Sequence, residues 1–258
     1  MAGDYPLLTE RGTSLFLITH LPNAKDRSKV RFGSLAALQD NISSMSAYGQ
    51  KQPLTIEIKS LLEKYGLMKL ELLTERLRLI PSANDDVDLC LEIFTDPDVM
   101  KYAGGVMGVD EIRKDMSKWT KRGGNGCIGI WCISDRDTGE KYGSAALLPI
   151  PIDEDDTDFS LVIPGIMPDG EIEIGYFLKR SAWGNGYATE ACKRLIRFAF
   201  QETPIDEVVA TFDDANAASK HVLNKAGFVD RGRMQCYGED SPIYRITRDE
   251  WNESIHST

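Results

Sequence analysis

The sequence predicts an α+β fold, and three observations carry that prediction. Strands and helices mix along the chain without strict β-α-β alternation. Over 171–200 a strand passes through a glycine-rich turn into an amphipathic helix. A second strand, Val208–Phe212, enters a polar Asp-Asp-Ala-Asn turn and a short helix over 217–226, and two strands close the chain at about 228–237 and 242–247.

Taken in order, Leu54, Ile58, Leu61, Leu62 and Tyr65 recur at helical spacing, so a helix is expected near 54–65, ended by Gly66. A strand around Leu77 and Leu79 ends at Pro81, and Asn84 and Asp85 signal the start of a helix running to Phe94. Val109, Ile112, Met116 and Trp119 form the apolar stripe of a further helix. Strands follow over Cys127–Ser134 and Lys141–Ile150, joined by the turn Asp135–Gly139. Residues 151–170 read as an acidic, proline-bearing insertion. In the helix after the glycine turn, Cys192, Leu195, Ile196 and Ala199 form the core stripe, with Lys193, Arg194 and Arg197 facing away.

Composition excludes several classes. The formal net charge of −10 lacks the basic footprint that nucleic acid requires. Residues 1–67 carry eight basic and six acidic side chains, so the remainder holds a formal −12 and attracts cations, amines among them. No apolar run reaches membrane-spanning length, and the N-terminus reads as no secretory signal, so a cytoplasmic location is expected. The five scattered cysteines form no CxxC pair and the three histidines no ligand spacing; reduced thiols and no metal site are expected.

The chemistry concentrates in two places. Trp183-Gly184-Asn185-Gly186-Tyr187-Ala188 joins strand to helix, where glycine lets the backbone approach a ligand and the helix start presents free N–H groups. No Gly-Lys-Ser/Thr follows and the third glycine of GxGxxG is missing, so it is neither of those phosphate loops. A plain glycine turn is the alternative. The second place is Asp213–Ser219, where Asn216 is a good N-cap.

Glu173-Ile174-Gly175-Tyr176, the run Trp183–Ala191, Asn216-Ala217-Ala218-Ser219 and Gly227-Phe228, in that order, resemble the GNAT acetyltransferase superfamily. Leu73–Leu79, Asp96–Met100 and Thr247–Trp251 are similar to its branch typified by the ribosomal-protein N-terminal acetyltransferases RimJ and RimL. The resemblance implies the GNAT fold, a mixed, mostly antiparallel sheet flanked by helices and splayed at the cofactor strand. It also implies acetyl-CoA as cosubstrate and a primary amine as acceptor, either a protein N-terminus or a small molecule. Tyr176, Phe177 and Leu178 would hold the pantetheine arm, and the run Trp183, Gly184, Asn185, Gly186, Tyr187, Ala188 and Thr189 the pyrophosphate. Asn216 and Ser219 would complete the site, with Lys179, Arg180 and Lys225 as nearby cations. Glu173 would be the base, the alternative being a residue on the strand's solvated face. The tyrosine acid usual in the superfamily is replaced by Leu223, which makes Ser219 the candidate donor to the thiolate.

The organisation expected is an extension at 1–67, a catalytic domain at 68–251 and a tail at 252–258, as monomer or homodimer. The second reading is a catalytically weak acetyl-CoA-binding module acting through partners. The acceptor's identity, the role of 1–67 and the purpose of the acidic insertion stand open at this level.

Overall fold

Alternating burial along the strands builds one mixed sheet lying between two helical layers. The computed structural model describes residues 69–152 and 154–256; the helix expected near 54–65 and the rest of the 1–67 extension lie outside the described residues. The strands are β1 (Leu72–Leu73), β2 (Leu77–Pro81), β3 (Arg122–Gly123), β4 (Ile128–Asp135), β5 (Lys141–Pro149), β6 (Ile172–Leu178), β7 (Glu207–Thr211), β8 (Val229–Cys236) and β9 (Glu239–Thr247). The helices are α1 (Val87–Phe94), α2 (Val109–Trp119), α3 (Tyr187–Glu202), α4 (Ala217–Ala226) and α5 (Arg248–His256). Strand order is β1-β2-β4-β5-β6-β7-β9-β8, with β3 beside β4. Every pairing is antiparallel except β6 with β7.

The end of β2 at Pro81, the end of α1 at Phe94 and both bounds of α4 are those the sequence predicts; Asn84 and Asp85, expected to start α1, form a separate single turn before it, and in α4 the Asn216 cap agrees with the periodicity. Helix α3 turns Ala191, Cys192, Leu195, Ile196, Phe198, Ala199 and Phe200 into the core. Phe198 meets the fully buried Trp131 edge-on at 5.6 Å, and the Trp131 indole N–H donates to Leu70 O at 2.8 Å. On the opposite side of the sheet, Phe94 of α1 contacts Trp119 of α2 and Phe177 of β6 at 4.9 and 5.4 Å. Strand β6 is thereby sandwiched, odd-numbered side chains toward α1 and even-numbered ones toward α3 and α4.

Three elements differ from expectation. Residues 252–256, assigned to the tail, continue α5. That helix starts from a capping box: Thr247 Oγ1 accepts from Glu250 N–H at 3.2 Å, while Glu250 Oε2 accepts from Thr247 N–H at 3.0 Å. Trp251 then packs on Phe200 at 5.9 Å. Strand β9 starts at Glu239, earlier than predicted, because Tyr237 and Gly238 alone make the hairpin turn. The insertion is not uniformly solvated: residues 154–156 are exposed, but Phe159 and Val162 are buried. Gly124 N–H donates to Ile163 O and Ile166 O at 3.1 and 2.9 Å, pinning the second half of the insertion to the rim of β3.

Gly143 of β5 sits so close to β6 that a Cβ there would lie 2.1 Å from Phe177 O and 2.8 Å from Leu178 Cα. Gly143→Ala is therefore expected to destabilise the protein by about 2–3 kcal/mol in urea unfolding. A loss below about 0.5 kcal/mol would mean that β5 and β6 part easily enough to admit a methyl group.

Candidate active site

Parallel strands β6 and β7 pair at one position, Glu173 with Val209, whereas β5 follows β6 along its whole length. The bonds Lys179 N–H to Tyr142 O (2.9 Å) and Ile150 N–H to Glu171 O (3.1 Å) fix the backbone alternation of β6. Odd-numbered residues turn their N–H and C=O groups to β5, and even-numbered residues turn theirs to the β7 side. Beyond Glu173 the strands separate, so the backbone of Tyr176 and Leu178 faces a cleft without a strand partner. The Leu178 carbonyl is met by the Trp183 indole N–H at 2.9 Å. A Cβ at Gly175, on the face of β6 toward α1, would touch nothing within 4 Å among the described residues.

The glycine turn lies at the end of that cleft. Gly184 and Gly186 have φ of 75° and 77°, the left-handed region that side chains disfavour. Gly186 is the N-cap of α3 and supplies no side-chain acceptor, so the first amides of a 16-residue helix are left for another partner. Asn185 steadies the turn by donating to Ala182 O and Trp183 O at 3.3 and 3.0 Å.

Arg76, which the sequence reading passed over, is the cation at this turn. Its guanidinium donates to Asn185 O at 3.0 Å, pairs with Glu190 at 2.6 Å and lies 4.9 Å over the Tyr187 ring. Tyr187 in turn stacks on Tyr142 at 4.6 Å. Glu190 gathers the junction: it accepts from the Thr74 hydroxyl at 2.5 Å and from Arg76 N–H at 3.0 Å as well as from the guanidinium. Partial burial works against its charge, but Thr74 and Arg76 outweigh that and hold the carboxyl below its ordinary range.

Glu173 is not on a solvated face. It is buried, 9% exposed, at the point where the strands part. Its Oε2 accepts from the Tyr237 hydroxyl at 2.5 Å. Burial pushes the carboxyl up to about 7, against the Tyr237 hydroxyl and the Thr211 backbone N–H, which favour the charged form. Tyr237 has a φ of 52°, in the left-handed region, where a non-glycine residue costs roughly 1–2 kcal/mol. Sequence reasoning missed Tyr237; the signal was a Tyr-Gly pair between two strand patterns, where Asn-Gly is the usual turn.

On the other face of β6, the Tyr176 hydroxyl lies 2.9 Å from Ser219 Oγ. Asn216 accepts from Ser219 N–H at 3.0 Å, so it is the N-cap of α4 and fixes where Ser219 stands. The cleft thus gathers Tyr176, Leu178, Trp183 to Thr189, Asn216 and Ser219. One expected member turns away from it. Phe177 turns its backbone to β5 and its ring to Phe94. Lys225, in the last turn of α4, is exposed and makes no ion pair among the described residues. Of the other expected cations, Lys179 pairs with Glu140 at 3.0 Å, and Arg180 with Asp98 and Asp96 at 2.5 and 3.3 Å. No cluster of potential metal ligands occurs, and no helix is long and apolar enough to cross a membrane, among the described residues.

Residues 76–229 match the acetyltransferase (GNAT) domain family, and the chain belongs to this family of acetyl-CoA-dependent N-acetyltransferases. Among curated relatives, the uncharacterised protein YkkB of Bacillus subtilis is 32% identical over 62% of this chain and 85% of its own. The FsC-acetyl coenzyme A-N(2)-transacetylase of Aspergillus fumigatus is 27% identical over 69% of this chain and 76% of its own. The same fold recurs in a GNAT-family acetyltransferase from Bacillus anthracis, with a TM-score of 0.55 and 20% identity over 69% of this chain and 99% of that one. It recurs also in the aminoglycoside acetyltransferase AAC(6')-Ib solved with coenzyme A, with a TM-score of 0.54 and 16% identity over 69% and 99% of the two chains.

The raised carboxyl of Glu173 makes a stability prediction. Between the ~4.3 of an unfolded glutamate and about 7 the folded state holds the extra proton, so folding loses stability as pH rises through that window. Glu173→Gln escapes that loss and should gain stability relative to wild type between pH 4 and pH 8, by at most on the order of 3 kcal/mol. Thermal unfolding at both pH values measures it; an equal difference at the two would mean the buried carboxyl titrates as it does unfolded.

Proposed function

We propose that this protein moves the acetyl group of acetyl-CoA to a primary amine by direct attack on the thioester, with Glu173 as general base. The observation that carries this reading is the buried carboxylate of Glu173 at the single point where β6 and β7 meet before they part. A base near neutrality suits the task, because efficiency is greatest when its pKa lies close to the working pH. The need is graded: at pH 7 roughly a tenth of an α-amine is already neutral, against well under a thousandth of a lysine-like amine, from reference values of ~7.7–8.0 and ~10.4.

The cleft fits the acyl donor. The Tyr176 backbone and the Leu178 N–H, which β7 leaves without a strand partner, and the left-handed glycines before a helix without a side-chain cap leave room and donors for a pantetheine arm and a pyrophosphate. Tyr176 and Leu178 would hold the arm, the amides of 184–189 the pyrophosphate, and Arg76 would offset its charge. Acetyl-CoA supplies an activated acetyl group. Glu173 then takes the proton released by the attacking nitrogen. Across the strand, the paired hydroxyls of Tyr176 and Ser219 stand ready to give a proton to the departing sulfur. That contribution is small, since a thiol titrates near ~8.5 and leaves readily as thiolate.

Thiol release from acetyl-CoA tests the reading against polyamines, aminoglycosides, amino-acid derivatives, peptides with free N-termini and FsC, the compound in the A. fumigatus relative's name. Turnover with one class identifies the acceptor; CoA binding with no turnover across the panel would favour the binding-module reading instead. Gly186→Glu should abolish CoA binding in calorimetry, since it sets a carboxylate against the phosphates and forces a side chain to a φ of 77°. Undiminished affinity would remove the glycine turn from the binding site.

A further inference from the structure

We propose that Tyr237 is the positioning residue of the candidate base, its hydroxyl fixing the Glu173 carboxylate so that the remaining oxygen receives the amine proton. The inference rests on Glu173 acting as base. In the step itself an N–H bond of the attacking amine breaks and an O–H bond forms on Glu173, while the phenol keeps its own proton.

Three observations support the assignment. The Tyr237 hydroxyl reaches Glu173 Oε2 at 2.5 Å, across 64 residues of chain. The turn that carries it runs from Cys236 to Glu239 with φ of 52° at Tyr237 and 71° at Gly238. Such a two-residue turn prefers asparagine or glycine at its first position, so the tyrosine answers a demand from outside the turn. The turn is also held from behind. Tyr237 N–H donates to Pro151 O at 3.3 Å, and a Cβ at Gly238 would lie 2.6 Å from Asp155 Oδ1. The first part of the acidic insertion thus acts as a backing for the hairpin tip.

The electrostatic surroundings leave the phenol few substitutes. Glu173 meets Tyr237 from the hairpin, the Thr211 N–H from β7 and, at longer range, the Cys236 thiol; on β5 its register partner is the apolar Leu148. Asp156 faces the phenol and Asp240 faces Cys236. Among the described residues no cation acts on Glu173, so the phenol and one amide stabilise its charge.

The test uses the full chain with Tyr237→Phe, Tyr237→Asn and Glu173→Gln. Carbon-13 NMR of glutamate-labelled protein follows the Glu173 carboxyl, identified by its loss in Glu173→Gln. Kinetics use acetyl-CoA with the fastest amine of the panel. Removing a donor from a carboxylate disfavours its charged form, so in Tyr237→Phe the titration and the acid limb of kcat should both move to higher pH. At pH 7 kcat should fall about tenfold, with the KM for acetyl-CoA within about twofold. Tyr237→Asn keeps the left-handed turn without the phenol and should show the same shift, which decides the matter should the phenylalanine variant fold poorly. An unmoved limb, or a loss equal at every pH, would overturn the assignment. If Glu173→Gln itself keeps the wild-type rate and limb, the base reading falls and this inference with it. If it loses the limb while both Tyr237 variants keep theirs, only the role of Tyr237 is refuted.

Discussion

Backbone polar groups need partners, and the rest of this structure depends on where β6 loses them. A central strand ordinarily spends every N–H and C=O on two neighbours. Here the parallel neighbour withdraws after a single residue pair, and the sheet tolerates the gap because β5 grips the other edge of β6 without interruption. The close approach at Gly143 is part of that grip. The unpaired backbone, the glycine turn and the starts of α3 and α4 then all face one opening, since each follows the carboxyl end of β6 or β7.

That opening needs a rigid frame, and the frame comes from distant parts of the chain. The segment before β2 is bolted to the start of α3 through Thr74, Arg76 and Glu190. The exposure of Arg76 tempers the worth of the ion pair alone, but the carboxylate collects several donors at once, so its geometry is fixed even where its energy is modest. On the other flank, the β8–β9 hairpin and the insertion meet at Tyr237. The two candidate proton-handling sites lie on opposite faces of one strand, as a period of two places residues 173 and 176.

The sequence showed most of the architecture because the fold is locally consistent: helical periodicity marks α1, periodicity, an asparagine cap and a glycine stop agree in α4, and the glycine turn marks the start of α3 by itself. What it hid was either directional or remote. Phe177 shares a strand with Tyr176, yet backbone alternation turns it away, and only the register of β5 reveals which parity faces the cleft. Arg194 was expected to face away from the core, yet it reaches Leu73 O at 3.2 Å, because β1 packs along the flank of α3. Arg76 and Tyr237 carry no local signature of a site; their partners lie 114 and 64 residues away. The polar residues 252–256 resemble a tail in sequence, although they continue the helix that the reciprocal cap at Thr247 and Glu250 starts.

One side chain has an optical consequence. Of the four tryptophans, Trp131 is fully buried, Trp119 and Trp251 are half-buried, and Trp183 is 45% exposed while its indole is tethered to Leu178 O. A water-exposed indole emits at longer wavelength than a buried one, and this one stands at the entrance to the glycine turn without freedom to swing away. The red edge of the protein's intrinsic fluorescence therefore belongs largely to the turn, and occupancy there is visible in unlabelled protein as a change in colour and lifetime.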